Sequence, residues 1–223
     1  MCAQKLKYKH GKAYRFLYGL IQCGLKTIFT LLYRATIKDA GKIPEKGKYI
    51  ICSNHISYLD PVLIGTYTPR FTYFMAKKEL FSFSFLSNLV IYLNAFPVDR
   101  DIIDRKTFNT ALDILKNENV LCLFPEGTRS VDGKIGEGKK GVGLISLLSG
   151  APIIPMVVIG SNKIVQKPRK RIFFPKIKMV VGDIIDTEKI IKENDRKKAI
   201  QIIVDETMAS IKKLYQDATG IES

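Results

Sequence analysis

The sequence predicts an α/β fold: a single layered domain with a mostly parallel, mixed sheet flanked by helices, preceded by an N-terminal amphipathic helical segment. Three observations carry this reading. Apolar, β-branched runs of strand type recur at about residues 48–53, 72–76, 94–98, 120–124, 153–159 and 172–181. Stretches with helical spacing lie between them, and such alternation places helices over the faces of a parallel sheet. The chain before residue 40 differs from the rest, being apolar, aromatic and basic at once. At 223 residues and 25.2 kDa the chain suits one domain with a sizeable core, and a hydrophobic fraction of 46% excludes general disorder.

Residues 13–35, "AYRFLYGLIQCGLKTIFTLLYRA", come first. Arg15, Lys26 and Arg34 interrupt them, so no charge-free run approaches the ~20 residues a membrane span needs. The pattern predicts a helix lying in a membrane interface. "AGKIPEKGK" then marks a boundary near residue 40, dividing a basic membrane-docking segment, 1–40, from an α/β domain, 41–223. "KYIICS" is the first strand. Pro61 suits the first turn of a helix, which makes Asp60 its N-cap. Residues 80–98 carry no charge, but their serines, asparagines and late proline predict a helix and strand, buried or lying as an apolar surface, rather than a span. Phe108, Ala111, Leu112 and Leu115 repeat at helical spacing, as do Ile200, Ile203, Val204 and Ile211 near the end.

The net charge is +15 and unevenly spread: no Asp or Glu precedes Asp39, whereas Lys5, Lys7, Lys9, Lys12, Arg15, Lys26, Arg34 and Lys38 all do. A second acid-free stretch is "KIVQKPRKRIFFPKIK", residues 163–178. Such surfaces seek polyanions: anionic lipid, phosphorylated substrates or nucleic acid. Against nucleic acid, the aromatics cluster in apolar runs such as "FSFSFL" instead of alternating with basic residues as stacking platforms. Cys2, Cys23, Cys52 and Cys122 show no C-x-x-C spacing, which suggests reduced thiols in a cytosolic setting. No secretory signal is expected. No metal is expected either, since His10 lies in a basic segment without a partner at ligand spacing.

Two motifs carry chemistry. In "CSNHISYLDP", residues 52–61, His55 and Asp60 would stand about 140° apart on an uninterrupted helix, so they can meet only across a bend. A carboxylate beside an imidazole selects the ring nitrogen that carries the proton and stabilises the imidazolium formed when the ring takes a proton from a hydroxyl. The alternative is an ordinary loop histidine beside a helix cap. In "VLCLFPEGTRS", residues 120–130, a strand runs into a turn where Gly127 allows close backbone approach and Arg129, flanked by Thr128 and Ser130, offers a planar fork suited to a phosphate. The alternative is a polar loop in which Glu126 and Arg129 pair with each other. Both motifs follow strands, as does "FPVDR" with Arg100, so base, carboxylate and arginines can gather on one edge of the sheet.

"NHISYLDP" followed by "FPEGTRS" resembles the glycerophospholipid acyltransferase family, most closely the 1-acyl-sn-glycerol-3-phosphate acyltransferases. The family's four blocks fall in order on His55 and Asp60, on "AFPVDR" ending in Arg100, on Pro125 to Arg129, and on "APIIPMVV" around Pro155. The resemblance implies transfer of a fatty acyl group from a thioester of acyl carrier protein or coenzyme A to the free hydroxyl of lysophosphatidic acid, giving phosphatidic acid. It implies His55 as base and Asp60 as its orienting partner. Arg129, Arg100 and a lysine of "MAKKEL", Lys77 or Lys78, would bind phosphate, with Glu126, Gly127 and Thr128 completing the substrate loop. No acyl-enzyme, bound cofactor or metal is needed. The implied location is the cytoplasmic face of the cell membrane, on an anionic surface, peripheral or monotopic. Glycerol 3-phosphate or another lysolipid is the alternative acceptor, and a basic nucleic-acid-binding protein the alternative of another class.

Overall fold

The computed structural model describes residues 11–81, 94–98, 105–130, 132–166 and 171–221. Arg100, His10, Cys2, the lysines before Gly11 and most of the charge-free stretch after Phe81 lie outside the described residues. The elements are helix α1 (Lys12–Tyr33), strands β1 (Thr36–Lys38) and β2 (Tyr49–Ser53), helix α2 (Asp60–Tyr67), strands β3 (Thr72–Lys77) and β4 (Ala95–Val98), helix α3 (Arg105–Lys116) and strand β5 (Val120–Leu123). There follow helix α4 (Gly141–Ser149), strand β6 (Ile153–Ile159), the short strands β7 (Val165–Gln166) and β8 (Arg171–Ile172), strand β9 (Lys178–Val181), and helices α5 (Thr187–Glu193) and α6 (Arg196–Thr219).

A seven-stranded sheet has the order β1-β9-β6-β2-β5-β3-β4. From β6 to β4 every neighbouring pair is parallel, while β9 runs antiparallel to β6 and carries β1 parallel to itself. The sheet is therefore mostly parallel and mixed at one side, and it is covered on both faces. On β2, Ile50 and Cys52 pack with α3, α4 and α6, whereas Tyr49 and Ile51 pack with α1 and α2. Burial on both sides explains why "YIICS" reads as a continuous apolar run instead of an alternating one. Each isoleucine so buried contributes roughly 1.5–3 kcal/mol relative to exposure.

Two expectations are corrected. The boundary near residue 40 is one of composition only: β1 joins the main sheet through β9, and Phe29 and Tyr33 of α1 belong to the core beneath α2. A three-residue strand is too short to show a period, which hid β1 from a pattern reading. The run 172–181 is not one strand. Phe173 to Ile177 separate β8 from β9, and Pro175 has no N–H to offer a ladder.

Helices α4 and α6 approach closely over Gly143. A Cβ there would stand 2.5 Å from the Ile200 carbonyl oxygen and 3.1 Å from Val204 Cγ2. Backbone cannot yield as a flexible side chain can, so Gly143→Ala should cost about 1–3 kcal/mol by overpacking. A thermal melt checks this: for a domain of this size the midpoint should fall by several degrees, roughly 2–4 °C per kcal/mol.

Candidate active site

The site begins where β2 ends. Asn54, buried, continues the ladder with its side chain: Nδ2 donates to the Val158 carbonyl (3.0 Å), and Oδ1 accepts from the Val158 N–H (2.8 Å). The amide thus takes the place of a backbone pair with β6, and the main chain is free to leave the sheet at His55. The next residues curl back. Ile56 N–H and Ser57 N–H both donate to Asp60 Oδ2, each at 2.7 Å, and Leu59 N–H donates to Ser57 Oγ at 3.2 Å. His55 Nδ1 lies 3.0 Å from the same Asp60 oxygen.

The expectation that Asp60 caps α2 is corrected by these bonds. Asp60 is the first residue of α2, and its carboxylate turns away from its own helix to collect the N–H groups upstream. Ser161, just beyond β6, supplies a further donor: its Oγ donates to Asp60 Oδ1 at 2.6 Å. Four donors compensate the cost of removing this charge from water, since Asp60 is fully buried. An oxygen already receiving two backbone N–H groups holds no proton for the ring. The hydrogen between His55 and Asp60 therefore sits on Nδ1, and Nε2 keeps its lone pair.

The loop after β5 fixes the histidine from the other side. Phe124 stacks on the imidazole, with ring centres 4.0 Å apart and planes at 20°. Glu126 Oε1 accepts from the His55 N–H (3.1 Å), Oε2 accepts from the Gly136 N–H (2.9 Å), and Ser130 N–H donates to the His55 carbonyl (2.7 Å). Both backbone polar groups of His55 are thus held by the "FPEGTRS" loop. Glu126 is engaged with backbone N–H groups and does not pair with Arg129, which lies over the exposed Tyr58 ring, its guanidinium carbon 3.5 Å from the ring centre. Stacking on one face leaves the in-plane N–H fork to point outward at its edges. Gly127 adopts φ +73°, and the Lys139 side chain crosses where a Cβ would be, 2.9–3.0 Å away. Only glycine takes that conformation readily and leaves that space.

The structure brings His55, Asp60, Glu126, Gly127 and Arg129 to one edge of the sheet. Thr128 is exposed on the same loop. Lys77 ends β3 and forms an exposed ion pair with Glu79 at 3.2 Å. Sequence reasoning missed Asn54, Phe124 as a stacking partner, Ser161 and Tyr58. Of these Ser161 had a signal: a small polar residue directly after a strand, on the edge where parallel sheets gather their chemistry.

Cys52 and Cys122 lie on β2 and β5, fully buried. Burial pushes both thiols well above their ordinary range, and at Cys122 the neighbouring Cys52 and Asp60 add to the effect. Thiols held protonated are poor nucleophiles. In the native protein an alkylating reagent should therefore modify the exposed Cys23 and spare Cys52 and Cys122, which peptide mass spectrometry can read directly.

Residues 34–159 match the family model described as Acyltransferase. The chain is 27% identical over 169 residues to a 1-acyl-sn-glycerol-3-phosphate acyltransferase of Bacillus subtilis, covering 75% of this chain and 81% of that one. It is 26% identical over 207 residues to the enzyme of that name from Streptococcus pneumoniae, covering 92% and 74%. A plant enzyme of the same name, from Limnanthes douglasii, is 33% identical over 149 residues, covering 66% of this chain and 52% of its own length, so this chain spans about half of that relative. Among solved structures, the 1-acyl-sn-glycerophosphate (LPA) acyltransferase PlsC from Thermotoga maritima superposes with a TM-score of 0.75 at 25% identity, covering 94% of this chain and 84% of the other. The matched span holds the His55–Asp60 pair and the loop that fastens it, and this chain belongs to the Acyltransferase family.

Proposed function

We propose that this chain acylates the free hydroxyl of a 1-acyl-glycerol 3-phosphate from an acyl thioester, carried on acyl carrier protein or coenzyme A, to give phosphatidic acid. One observation carries the reading. Tyr58, three residues after the base, supports Arg129 on its ring and also walls an apolar cavity formed by Tyr18, Ile21, Leu25, Val62 and Phe74. A place for an acyl chain, a fork for a phosphate and a general base thus adjoin one another. His55 Nε2 takes the proton as the acceptor oxygen attacks the thioester carbonyl. The tetrahedral intermediate then collapses, the carbon–sulfur bond breaks, and the proton passes to the leaving thiolate. Asp60 holds the ring and stabilises the imidazolium between these steps. Direct transfer also suits the buried, protonated Cys52 and Cys122.

The same reading assigns α1 to an anionic membrane surface. By length and composition α1 can cross a bilayer. It is tied to the domain along its length, however: Gln22 Nε2 donates to the Gly65 and Thr68 carbonyls, Tyr14 Oη donates to Asn94 Oδ1, and Thr30 bonds Tyr67. Its other face leaves Phe16, Leu17, Leu20, Ile28, Leu31 and Leu32 exposed. A helix fastened on one side and apolar on the other suits a position flat in the interface, where lipid acceptor and product reside.

Replacing His55 by Ala should lower kcat by about 10²–10⁴-fold with the melting midpoint nearly unchanged, since the lost group is a base rather than a core side chain. Ser161→Ala should lower kcat by about tenfold and leave both KM values in place, because it loosens the support of Asp60 and touches no substrate. Steady-state release of thiol together with phosphatidate measures both, and a His55→Ala protein retaining a tenth of the activity would remove His55 as base.

Arg129→Ala should raise KM for lysophosphatidate at least tenfold while leaving that for the thioester within about twofold. Lysine at the position should restore little, being a point charge without a fork. Equal changes in both constants would take Arg129 out of the phosphate site. Efficient turnover of glycerol 3-phosphate by the unaltered protein would move the proposal to that acceptor.

A further inference from the structure

The acid-free stretch 163–178 has no part in the chemistry above, yet the fold places its described residues Phe174 and Ile177 beside the end of α1. Phe173 N–H donates to the Ile164 carbonyl at 2.8 Å, closing the end of the β7–β8 hairpin, and Ile177 N–H donates to the Tyr33 carbonyl at 3.0 Å. Arg34 Nη2 donates to the Phe174 carbonyl at 3.3 Å, and the Tyr33 and Phe174 rings lie 5.4 Å apart. The hairpin's return is thus fastened to the end of α1, where Leu31 and Leu32 already face outward. In that setting Ile172, Phe173 and Phe174 are 65%, 43% and 53% exposed. Three consecutive large apolar residues left open beside an open helix face form a contiguous patch of the kind that marks an interaction surface.

We propose that Ile172, Phe173 and Phe174 are a second membrane contact that inserts into an anionic leaflet together with the outer face of α1. The inference rests on the reading of the substrate as a membrane lipid. Charge selects the partner: the segment 163–178 contains no acidic residue, Lys176 follows Phe174 by two residues, Arg34 bonds the Phe174 carbonyl, and Lys163 adjoins Ile164, which bonds Phe173. An apolar patch flanked by basic residues matches hydrocarbon beneath a layer of phosphate headgroups. The hairpin also leaves the sheet at the site itself. Ser161, which donates to Asp60, opens the single turn Ser161–Lys163 that leads into β7. Two contacts, α1 and the hairpin, would fix the tilt of the domain on the leaflet, as one helix free to roll about its axis would not. They would turn the edge bearing His55 toward the lipid.

The chain contains no tryptophan, so a single Phe173→Trp substitution supplies the only indole. With phosphatidylglycerol vesicles its emission should move to shorter wavelength and be quenched by brominated acyl chains. With phosphatidylcholine vesicles, or at high salt, both effects should weaken. A Leu31→Trp protein serves as the reference for α1. If Leu31→Trp responds and Phe173→Trp does not, the hairpin faces water and the proposal is overturned while docking through α1 stands. If neither responds, the membrane reading itself fails. A Phe173→Trp spectrum that shifts with acidic acyl carrier protein but not with vesicles would overturn the lipid assignment in favour of a protein partner. Phe173→Asp should in addition reduce sedimentation with anionic vesicles by about tenfold, with an unchanged melting midpoint, as expected for an apolar ring exchanged for a charge at the interface. Unchanged sedimentation would likewise overturn the proposal.

Discussion

The Asp60 carboxylate binds three separate parts of the chain at one buried point. Its two oxygens receive the His55 ring, the Ile56 and Ser57 N–H groups, and the Ser161 hydroxyl, so the exit from β2, the start of α2 and the exit from β6 cannot move independently. A buried carboxylate tolerates no loss of these partners without a large desolvation cost. The arrangement therefore does two things at once. It holds the folded edge together, and it leaves His55 in the one tautomer that can act as a base at Nε2.

Directionality of the sheet makes this convergence possible. Strands β6, β2 and β5 lie side by side and parallel, so their carboxyl ends open on the same edge. Asn54 pairs with Val158 across the first gap, while Glu126 and Ser130 hold the His55 backbone across the second. A histidine set on strand ends and fastened through backbone groups is positioned by the sheet rather than by a loop's own stiffness. The antiparallel turn to β9 at the far side has a different consequence, since it lets β1, and with it the end of α1, be carried by the sheet.

The apolar surfaces follow from the same connections. α1 lies against α2 with polar bonds along its inner side, leaving an apolar outer face, and the segment after β8 meets the end of that helix. Tyr58 stands between this region and the His55–Asp60 pair, with Arg129 on its ring and the cavity beside α1 lined by its side chain. The histidine, the Arg129 cation and the apolar space adjoin one another because a single five-residue bend, His55 to Leu59, holds His55 and Tyr58 together.

The layered class, the positions of β2, β3, β4, β5 and β6, and the pairing of His55 with Asp60 were legible in the sequence. Long apolar runs, helical spacing and a proline after a carboxylate are local signals, written in neighbouring residues. The direction of Asp60 was not legible, and its reading as a cap failed, because which N–H groups reach a carboxylate depends on how the preceding bend closes. Glu126 could be expected near the site, but not as the brace of the histidine backbone. Its partners lie 71 residues upstream in one case and ten downstream in the other. Ser161 stands 101 residues from Asp60, and Phe174 stands 140 from Arg34. By itself the sequence determined which residues have the chemistry to act, since side-chain type and local spacing need no partner. Only the tertiary structure decided which of them touch, because contacts between distant segments are set by strand order and direction, and these are properties of the whole sheet.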